Sequence, residues 1–591
     1  MKHRALICLL MTMALLPPSL SAHPLDDVYR KHSNFAENAP PGVLLRRMSL
    51  QIRGVIPTAE EVRAFETANP DTRNELFAAR FLRDADYAHY WSGVLGSMLR
   101  ARSDQRDAPY DAYQAWLAKS LHENRSYRQM VRDLITAKGP VDQNAAGLFY
   151  LRDNADPLEA AEYVSRVFYG RRLSCARCHD HPTDPNYKRR DFYGLASFFS
   201  QTFVRKNKLD EIPWNRREDL PVDARKKYED GMRRLRAQMN WDKLSEAQRK
   251  KLREQNELPF AQIDVLPELG LRFPHTDDSP GGDLVKPVYP DGKPAIIEAG
   301  ADRREVLAKW LTAKTNDRFR KVIINRIWTR LMGWSFFTPL DDWGPETKIR
   351  APEMLDHLDT VFVEKDYRIK DLILYIVTSD AYRRRAPAPG ESVNGDESAL
   401  ASFPPSRMDY AQLFNSMLRG TNNASVPHVW ERSATTSLDL TGQGALKQAV
   451  KDNKAGFTNA CEVPKPVHSS TFLSIFGAGR REDVDDDEIR PDIDQVLALM
   501  NGQLTSRIWR EYGDPNKNSF ILQEFERTKR MDDLFDTIYV SLLSRHPSEK
   551  EKAGLQRVFS SRFEAQGGFQ RDQVQDLVWS ILQSREFIHI Y

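Results

Sequence analysis

The residues with the most distinctive chemistry are two cysteines and a histidine in the string C-x-x-C-H. Cys175, Cys178 and His179 form this string, and Asp180 and His181 follow it directly. Covalent haem attachment needs two thiols that add to the porphyrin vinyl groups, and an imidazole beside the second thioether that can reach the iron. The string supplies all three groups. It therefore predicts one c-type haem, with thioethers at Cys175 and Cys178 and with His179 as the proximal iron ligand.

Two other chemistries use the same residues. Cys175, Cys178 and either His179 or His181 could provide two thiolates and one imidazole for zinc, with a fourth ligand from elsewhere in the chain. A disulfide between the two cysteines is the third possibility outside the cytoplasm. No second C-x-x-C and no paired-histidine element lies at the usual spacing of a zinc site, which makes zinc the weaker alternative to haem.

The other ligands of the predicted haem site follow less directly from the sequence. Asp180–Pro182 are expected to shape the haem pocket or to tune the iron through hydrogen bonds. A methionine such as Met48, Met98 or Met500, or one of the scattered histidines, could be the sixth iron ligand. The chain has no nucleophile elbow, phosphate-binding loop, zinc-protease string or paired-carboxylate signature. No catalytic residue is therefore predicted.

The first 22 residues have the pattern of a secretory signal peptide. Lys2 and Arg4 give a positive start, Ala5–Leu16 is apolar apart from Thr12, and Ser19–Ala22 supplies small residues suited to cleavage. The apolar run is shorter than the roughly 20 residues of a membrane-spanning helix, and no later stretch is long and apolar enough to cross a membrane. We therefore expect a periplasmic or secreted protein with a signal peptide at residues 1–22 and no transmembrane span.

Composition narrows the class of protein further. The 591 residues include 86 basic and 83 acidic side chains, a net charge of +3, without a basic stripe that carries interleaved aromatics. A nucleic-acid partner is therefore not expected. Of the four cysteines, Cys8 lies in the predicted leader and Cys461 lies far from the string. The three cysteines of the mature chain are too few for a disulfide framework.

Apolar residues recur at helical spacing along most of the chain, as they do between Leu44 and Ile52. The predicted fold class is mainly α: a multi-domain helical protein with long irregular loops and few short strands. We predict a cytochrome-type domain over residues 23–204, a charged helical insertion and Pro/Gly-rich junction over 205–301, and a C-terminal helical domain over 302–591.

One short pattern occurs twice. "GVIPTAEEVRAF" begins at Gly54, and the similar "SRHPSEKEKAGLQRVF" begins at Ser544. In the first copy, Pro57 and Thr58 precede an acidic turn, which is typical of a helix N-terminus. No fixed period accompanies the two copies, so a solenoid is not indicated. We interpret them as a reused helical-pair design.

The residues around the string are similar to a known pair of domains. "LLRRMSLQIRGVIPTAEEVRAF", "FYLRDNADPLEAAEYVSRVFYGRRLSCARCHDHPTDPNYKRRDFYGLASFF" and "REVLAKWLTAKTNDRFRKVIINRIWTRLMGW" resemble the paired planctomycete-type cytochrome domains of unknown function, which occur in exported proteins. The first domain corresponds to Arg46–Phe199. The second resembles the chain from Asp302 to the C-terminus, including "FGAGRRE", "QVLALMNG" and "DLVWSILQSREF". Together the two domains cover most of the mature chain.

The resemblance implies a cytochrome-like protein without implying a reaction, because relatives are named for the same C-x-x-C-H string. Many relatives also carry a further cytochrome-c-like domain at the N-terminus, whereas this chain reaches Arg46 without a second C-x-x-C-H. At most one c-type haem is therefore expected. After "FGAGRRE", relatives often have a cysteine-bearing segment, where this chain has "DVDDDEIRPD".

The predicted function is that of an exported c-type cytochrome-like protein with one covalent haem. It would take part in electron transfer, or in a redox step, together with a redox or assembly partner protein in the periplasm. The alternative is a non-enzymatic structural or interaction protein in which the C-x-x-C-H string is a disulfide or a zinc site.

Overall fold

The computed structural model describes most of the chain from His23 onward. The described residues are 23–33, 37–99, 110–209, 214–274, 282–387, 400–421, 459–460, 472–478, 492–501, 521, 527, 530–566 and 571–591. The predicted signal peptide, Cys461 and the segment that follows "FGAGRR" lie outside these ranges.

Helices make up most of the described elements. In chain order they are α1 Pro24–Tyr29, α2 Pro41–Arg53, α3 Ala59–Thr67, α4 Arg73–Arg83, α5 Ala85–Met98, α6 Tyr110–His122, α7 Tyr127–Ile135, α8 Leu148–Leu151, α9 Pro157–Phe168, α10 Arg189–Ala196, α11 Val222–Gln238, α12 Glu246–Gln255, α13 Arg303–Leu311, α14 Asp317–Met332, α15 Pro352–Glu364, α16 Ile369–Val377, α17 Asp380–Arg383, α18 Tyr410–Thr421, α19 Phe472–Ile475, α20 Ile493–Asn501, α21 Met531–Leu543, α22 Glu549–Gln566, α23 Arg571–Leu582 and α24 Arg585–Ile588. None of these helices has the length and apolar character needed to cross a membrane.

The strands are few and short, and they form two small sheets. They are β1 Gly139–Pro140, β2 Thr202–Asn207, β3 Glu257–Val265, β4 Ser406–Arg407 and β5 His589–Ile590. In the first sheet β3 lies between β1 and β2 and is antiparallel to both, and in the second β4 pairs with β5. The structure confirms the predicted mainly-α fold class with few short strands.

Helix α2 packs against helices α3, α4 and α5. Its apolar residues Leu45, Met48 and Ile52 are fully buried, as their helical spacing predicts. The helix ends at Gly54, whose φ of +67° is left-handed, and a Cβ there would lie 2.2 Å from the Tyr90 ring. Glycine is required at this position both for the backbone conformation and for the close approach of the ring.

Two buried arginines of α2 join the N-terminal part of the chain to the C-terminal part. Arg46 and Arg47 donate hydrogen bonds to backbone carbonyls that are several hundred positions away in the sequence. The acceptors are Leu542 and Phe587 for Arg46, and Tyr382, Arg384 and Tyr591 for Arg47. Burial lowers the pKa of Arg47 to about 9. Charge-assisted hydrogen bonds of this kind are stronger than neutral ones, so the Arg-Arg pair of the quoted motif is a structural joint.

One continuous hydrophobic cluster contains residues from both predicted helical domains. Leu45 and Phe81 from the first region belong to the same cluster as Trp328, Leu358 and Ile538 from the second. The regions 23–204 and 302–591 therefore share a core. The domain boundaries themselves stay a prediction.

The two copies of the short sequence pattern have the same local geometry. Gly54 and Ser544 both adopt a left-handed φ, of +67° and +60°, at the ends of α2 and α21. Four residues later, Thr58 and Ser548 each exchange hydrogen bonds with the glutamate three positions further on, which forms a capping box at the start of the next helix. This shared geometry supports the interpretation as a reused helical-pair design.

Candidate functional site

The C-x-x-C-H string lies in the loop between helices α9 and α10. Gly170, just after α9, has a φ of +62°, and a Cβ there would lie 2.5 Å from the Val322 side chain. The chain therefore turns sharply against α14 at a position that only glycine fits. A short 3-10 turn, Ser174–Arg177, then carries the first cysteine.

The loop presents both thiols at the surface. Cys175 and Cys178 are exposed, and their sulfur atoms form no disulfide. Their neighbours Leu173 and Ala176 are fully buried in the main hydrophobic cluster. The backbone N–H of Cys178 donates to the carbonyl of Cys175 at 3.4 Å. The two reactive side chains are thus held on a turn that its buried neighbours anchor.

The imidazole of His179 is exposed and has one ring nitrogen engaged. Its Nδ1 lies 2.7 Å from the backbone carbonyl oxygen of Asp180. A carbonyl only accepts hydrogen bonds, so this contact assigns the proton to Nδ1 and leaves the lone pair on Nε2. Metal-binding histidines commonly have this arrangement, in which the second nitrogen donates to a backbone carbonyl.

Asp180 closes the loop onto the start of α10. One carboxylate oxygen accepts the backbone N–H of Arg189 at 2.9 Å, and the other lies 3.3 Å from Nζ of Lys188. The hydrogen bond from Arg189, followed by the one from Lys188, holds the pKa of the Asp180 carboxyl below its usual range. Asp180 therefore closes the loop in this structure. Its role in tuning the iron stays a prediction.

His181 is bound within the loop on two sides. Its backbone N–H donates to the carbonyl of Tyr187 at 3.0 Å, and its Nε2 lies 3.0 Å from the carbonyl oxygen of Arg172. Nε2 therefore carries the proton and is occupied. Of the two histidines in the loop, His179 is the one whose unprotonated nitrogen has no hydrogen-bond partner among the described residues.

A buried ion pair stabilises the loop on its buried side. The carboxylate of Asp184 pairs with the guanidinium of Arg171, and both side chains are almost inaccessible. Arg171 also lies over the ring of buried Tyr187, 5.3 Å from its centroid. Burial raises the pKa of the Tyr187 hydroxyl far above its ordinary value, so this side chain stays neutral inside the loop.

The C-terminal region holds the base of the loop through backbone contacts. Arg318 on α14 donates to the carbonyls of Tyr169 at 2.7 Å and Gly170 at 3.2 Å. The backbone N–H of Trp343 also donates to the carbonyl of Gly170, at 2.7 Å. The geometry of the cysteine loop therefore depends on residues of the second predicted domain.

Asp341 is a further support that the sequence did not indicate. It is fully buried and accepts hydrogen bonds from Arg172 at the start of the loop and from Arg166 on α9. Burial alone would raise the pKa of its carboxyl, but the bonds from Arg172 and Arg166 outweigh burial and lower it. The two arginines are 169 and 175 positions away, so no local spacing could have identified this residue.

The methionines that the sequence offers as a sixth iron ligand lie in different environments. Met48 and Met98 are buried in the hydrophobic core, whereas Met500 is 46% exposed on α20. Because a core methionine would have to leave its packing to reach an exposed loop, Met48 and Met98 do not suit the sixth iron position. Within the described ranges, no three His, Cys, Asp or Glu side chains are grouped so as to hold a metal ion. The zinc alternative stays a prediction.

Two protein-family models match the chain. Residues 25–203 match the family described as "PSCyt2: Protein of unknown function (DUF1549)", and residues 303–559 match "PSD1: Protein of unknown function (DUF1553)". These are the two paired planctomycete-type domains that the quoted motifs resemble. They leave residues 204–302 between them unmatched. A search of curated proteins and a search of solved structures each found no match.

Proposed function

We propose that this chain, which belongs to the proteins with paired planctomycete-type domains of unknown function, is an exported c-type cytochrome-like protein. It carries one covalently bound haem in the loop between α9 and α10 and transfers electrons, or performs a redox step, in a periplasmic assembly. The predicted signal peptide at residues 1–22 is part of this proposal, and so is a periplasmic partner protein that donates or accepts the electrons.

The proposal rests on the exposure and hydrogen bonding of three side chains. The thiols of Cys175 and Cys178 are exposed and unbonded, as addition to two vinyl groups requires. The ring of His179, next to the second cysteine, has its proton directed to a carbonyl and its other nitrogen available to iron. The donor set therefore fits a c-type haem. When bound, that haem would supply one-electron redox chemistry.

The rest of the loop has a positioning role in this proposal. Asp180 and His181 use their polar atoms on the loop backbone, and the pair of Arg171 with Asp184 holds the loop from its buried side. These contacts fix the backbone on either side of His179. A ligand that is already oriented loses less conformational freedom when it coordinates a metal.

Haem staining after denaturing electrophoresis, combined with a pyridine haemochrome spectrum and iron analysis, tests the proposal. The mature protein is produced in a host with haem-attachment machinery. We expect one haem per chain that survives denaturation. Cys178→Ala should weaken or prevent full attachment, whereas His179→Ala should retain thioether bonds and chiefly change the ligation and reduction potential of the iron. Cys461→Ala is the matched control, because it removes a thiol outside the string.

A protein without covalent haem and with iron below stoichiometry would overturn the proposal. Zinc analysis and thiol titration of the same sample then separate the alternatives. One zinc per chain with both thiols protected by the metal indicates a zinc site. Loss of both titratable thiols without metal indicates a disulfide between Cys175 and Cys178.

A further inference from the structure

A polar helical arm projects from a β-hairpin in the region that neither family model matches. Strands β2 and β3 pair so that Asn207 lies opposite Glu257, and the N–H of Lys208 donates to the carbonyl of Asn256 at 2.9 Å. Helices α11 and α12 lie between these two points in the chain. The arm, residues 208–256, is therefore an excursion that leaves the sheet and returns to it at neighbouring positions.

Among its described residues the arm has one buried apolar side chain, Leu220, which forms a small cluster with Leu269; Tyr228 of α11 packs against this pair. No residue of α11 or α12 is buried. The apolar residues Tyr228, Met232, Leu235 and Met239 follow one another at helical spacing on one face, and each of them is only partly covered. Since most helical stability in proteins comes from packing of an apolar face, this stripe is a surface that a partner can complete.

The arm also differs in charge from the rest of the protein. Between Lys208 and Asn256 there are fourteen Lys and Arg and ten Asp and Glu residues, a net charge of +4, while the whole chain has +3. The remainder of the chain therefore has a net charge of −1. The following cations of the arm are exposed and form no ion pair with described residues: Lys226, Lys227, Arg234, Arg236, Lys243 and Lys251.

The charge of the arm and its apolar stripe favour one kind of binding partner. A second copy of the arm would bring the same positive charge and be repelled. A membrane surface would need a broad apolar face with few acids, whereas the arm has ten acids and a narrow stripe. We propose that the arm is a docking surface for an acidic protein segment. Carboxylates of that segment pair with the arm's cations, and its apolar side chains cover Met232, Leu235 and Met239 of the stripe.

Fluorescence anisotropy with a labelled peptide tests this docking surface on the full mature protein. The probe is an amphipathic peptide with Leu at the a and d positions of three heptads, and Glu and Ala elsewhere. Two comparison peptides replace Glu by Lys, or Leu by Ala. We expect the acidic peptide to bind at least about tenfold more tightly than either one. Higher salt should weaken its binding because exposed charges are screened.

Variants of the protein show whether the arm is responsible for binding the acidic peptide. In one variant, residues 208–256 are replaced by Asn-Gly, because the pairing of Asn207 with Glu257 leaves a gap that a two-residue turn closes. In another, Lys226→Glu and Lys227→Glu reverse two exposed charges. Both variants should lose about tenfold or more in affinity. Lys309→Glu with Lys365→Glu makes the same charge change on exposed lysines outside the arm and should have little effect.

Three results would overturn the proposal. They are equal affinity of the charge-reversed variant and the wild type, equal affinity for the Leu and Ala peptides, and arm-dependent binding to phosphatidylglycerol vesicles without binding to the peptide. The charge-reversed variant keeps the test valid if the deletion variant does not fold. Haem content is measured separately on each variant, so this proposal and the haem proposal fail or succeed independently.

Discussion

Replacing Arg47 by methionine is expected to lower the free energy of unfolding by about 2–4 kcal/mol. Methionine keeps much of the apolar stem but removes the guanidinium that donates to the carbonyls of Tyr382, Arg384 and Tyr591. The acceptors of Tyr382 and Arg384 are buried, and each buried carbonyl left without a donor costs about 1–2 kcal/mol, so the two together give the stated range. Arg47 is 1% exposed, so water does not replace the lost donor unless the core opens.

Urea unfolding followed by tryptophan fluorescence measures this loss, since Trp91 and Trp328 are buried in the shared core. Arg63→Met is the matched control, because Arg63 is exposed on α3 and its loss should change stability by less than about 0.5 kcal/mol. Arg47→Lys should fall between the two, because one ammonium does not reproduce the geometry of the guanidinium fork. If Arg47→Met lies within about 1 kcal/mol of the wild type, the role of Arg47 as a joint is refuted.

Two further predictions concern the repeated helical pair and its surface. Gly54→Ala should lower the urea midpoint clearly more than Gly139→Ala, because both positions have a positive φ but only Gly54 has an aromatic ring 2.2 Å from the added carbon. Equal shifts would mean that strain in φ alone matters. His546 lies between the carboxylates of Asp536 and Glu66, and the hydrogen bond to Asp536, helped by the one to Glu66, raises its pKa above the ordinary 6.5. Its stabilisation is therefore fully present below about pH 6.5 and is lost as pH rises through the folded-state pKa. The difference in free energy of unfolding between the wild type and His546→Gln, measured by urea denaturation, should shrink from about pH 5.5 to about pH 9, and should stay below about 1 kcal/mol because the pair is half exposed. A difference that does not change with pH would contradict this assignment.

Much of the local structure was predictable from neighbouring residues. Helical spacing of apolar residues predicted the mainly-α fold class, and Pro57-Thr58 before an acidic turn predicted the start of α3. The charged stretch after residue 205 was predicted to be a helical insertion, and α11 and α12 confirm that it is helical. These features depend on interactions within a few positions along the chain, so the sequence contains them directly.

The sequence identified the residues of the candidate site but not the contacts that hold them in place. The C-x-x-C-H string identified Cys175, Cys178 and His179 as chemically equipped for haem. The spacing could not show that His181 is bound inside the loop, while one ring nitrogen of His179 has no hydrogen-bond partner in the part of the chain that the structure describes. Nor could it show that buried Asp341 holds the start of the loop, because that contact joins residues far apart in the sequence.

By itself, the sequence determined which residue types can react, that the fold is mainly helical, and which pair of domains the chain contains. Only the tertiary structure decided that the two domains share one core, that Arg46 and Arg47 join them, and that the second domain holds the loop of the first. The physical reason is that buried charges and backbone carbonyls must find partners wherever the fold brings them together. Such partners are set by packing in space and leave no periodic signal along the chain.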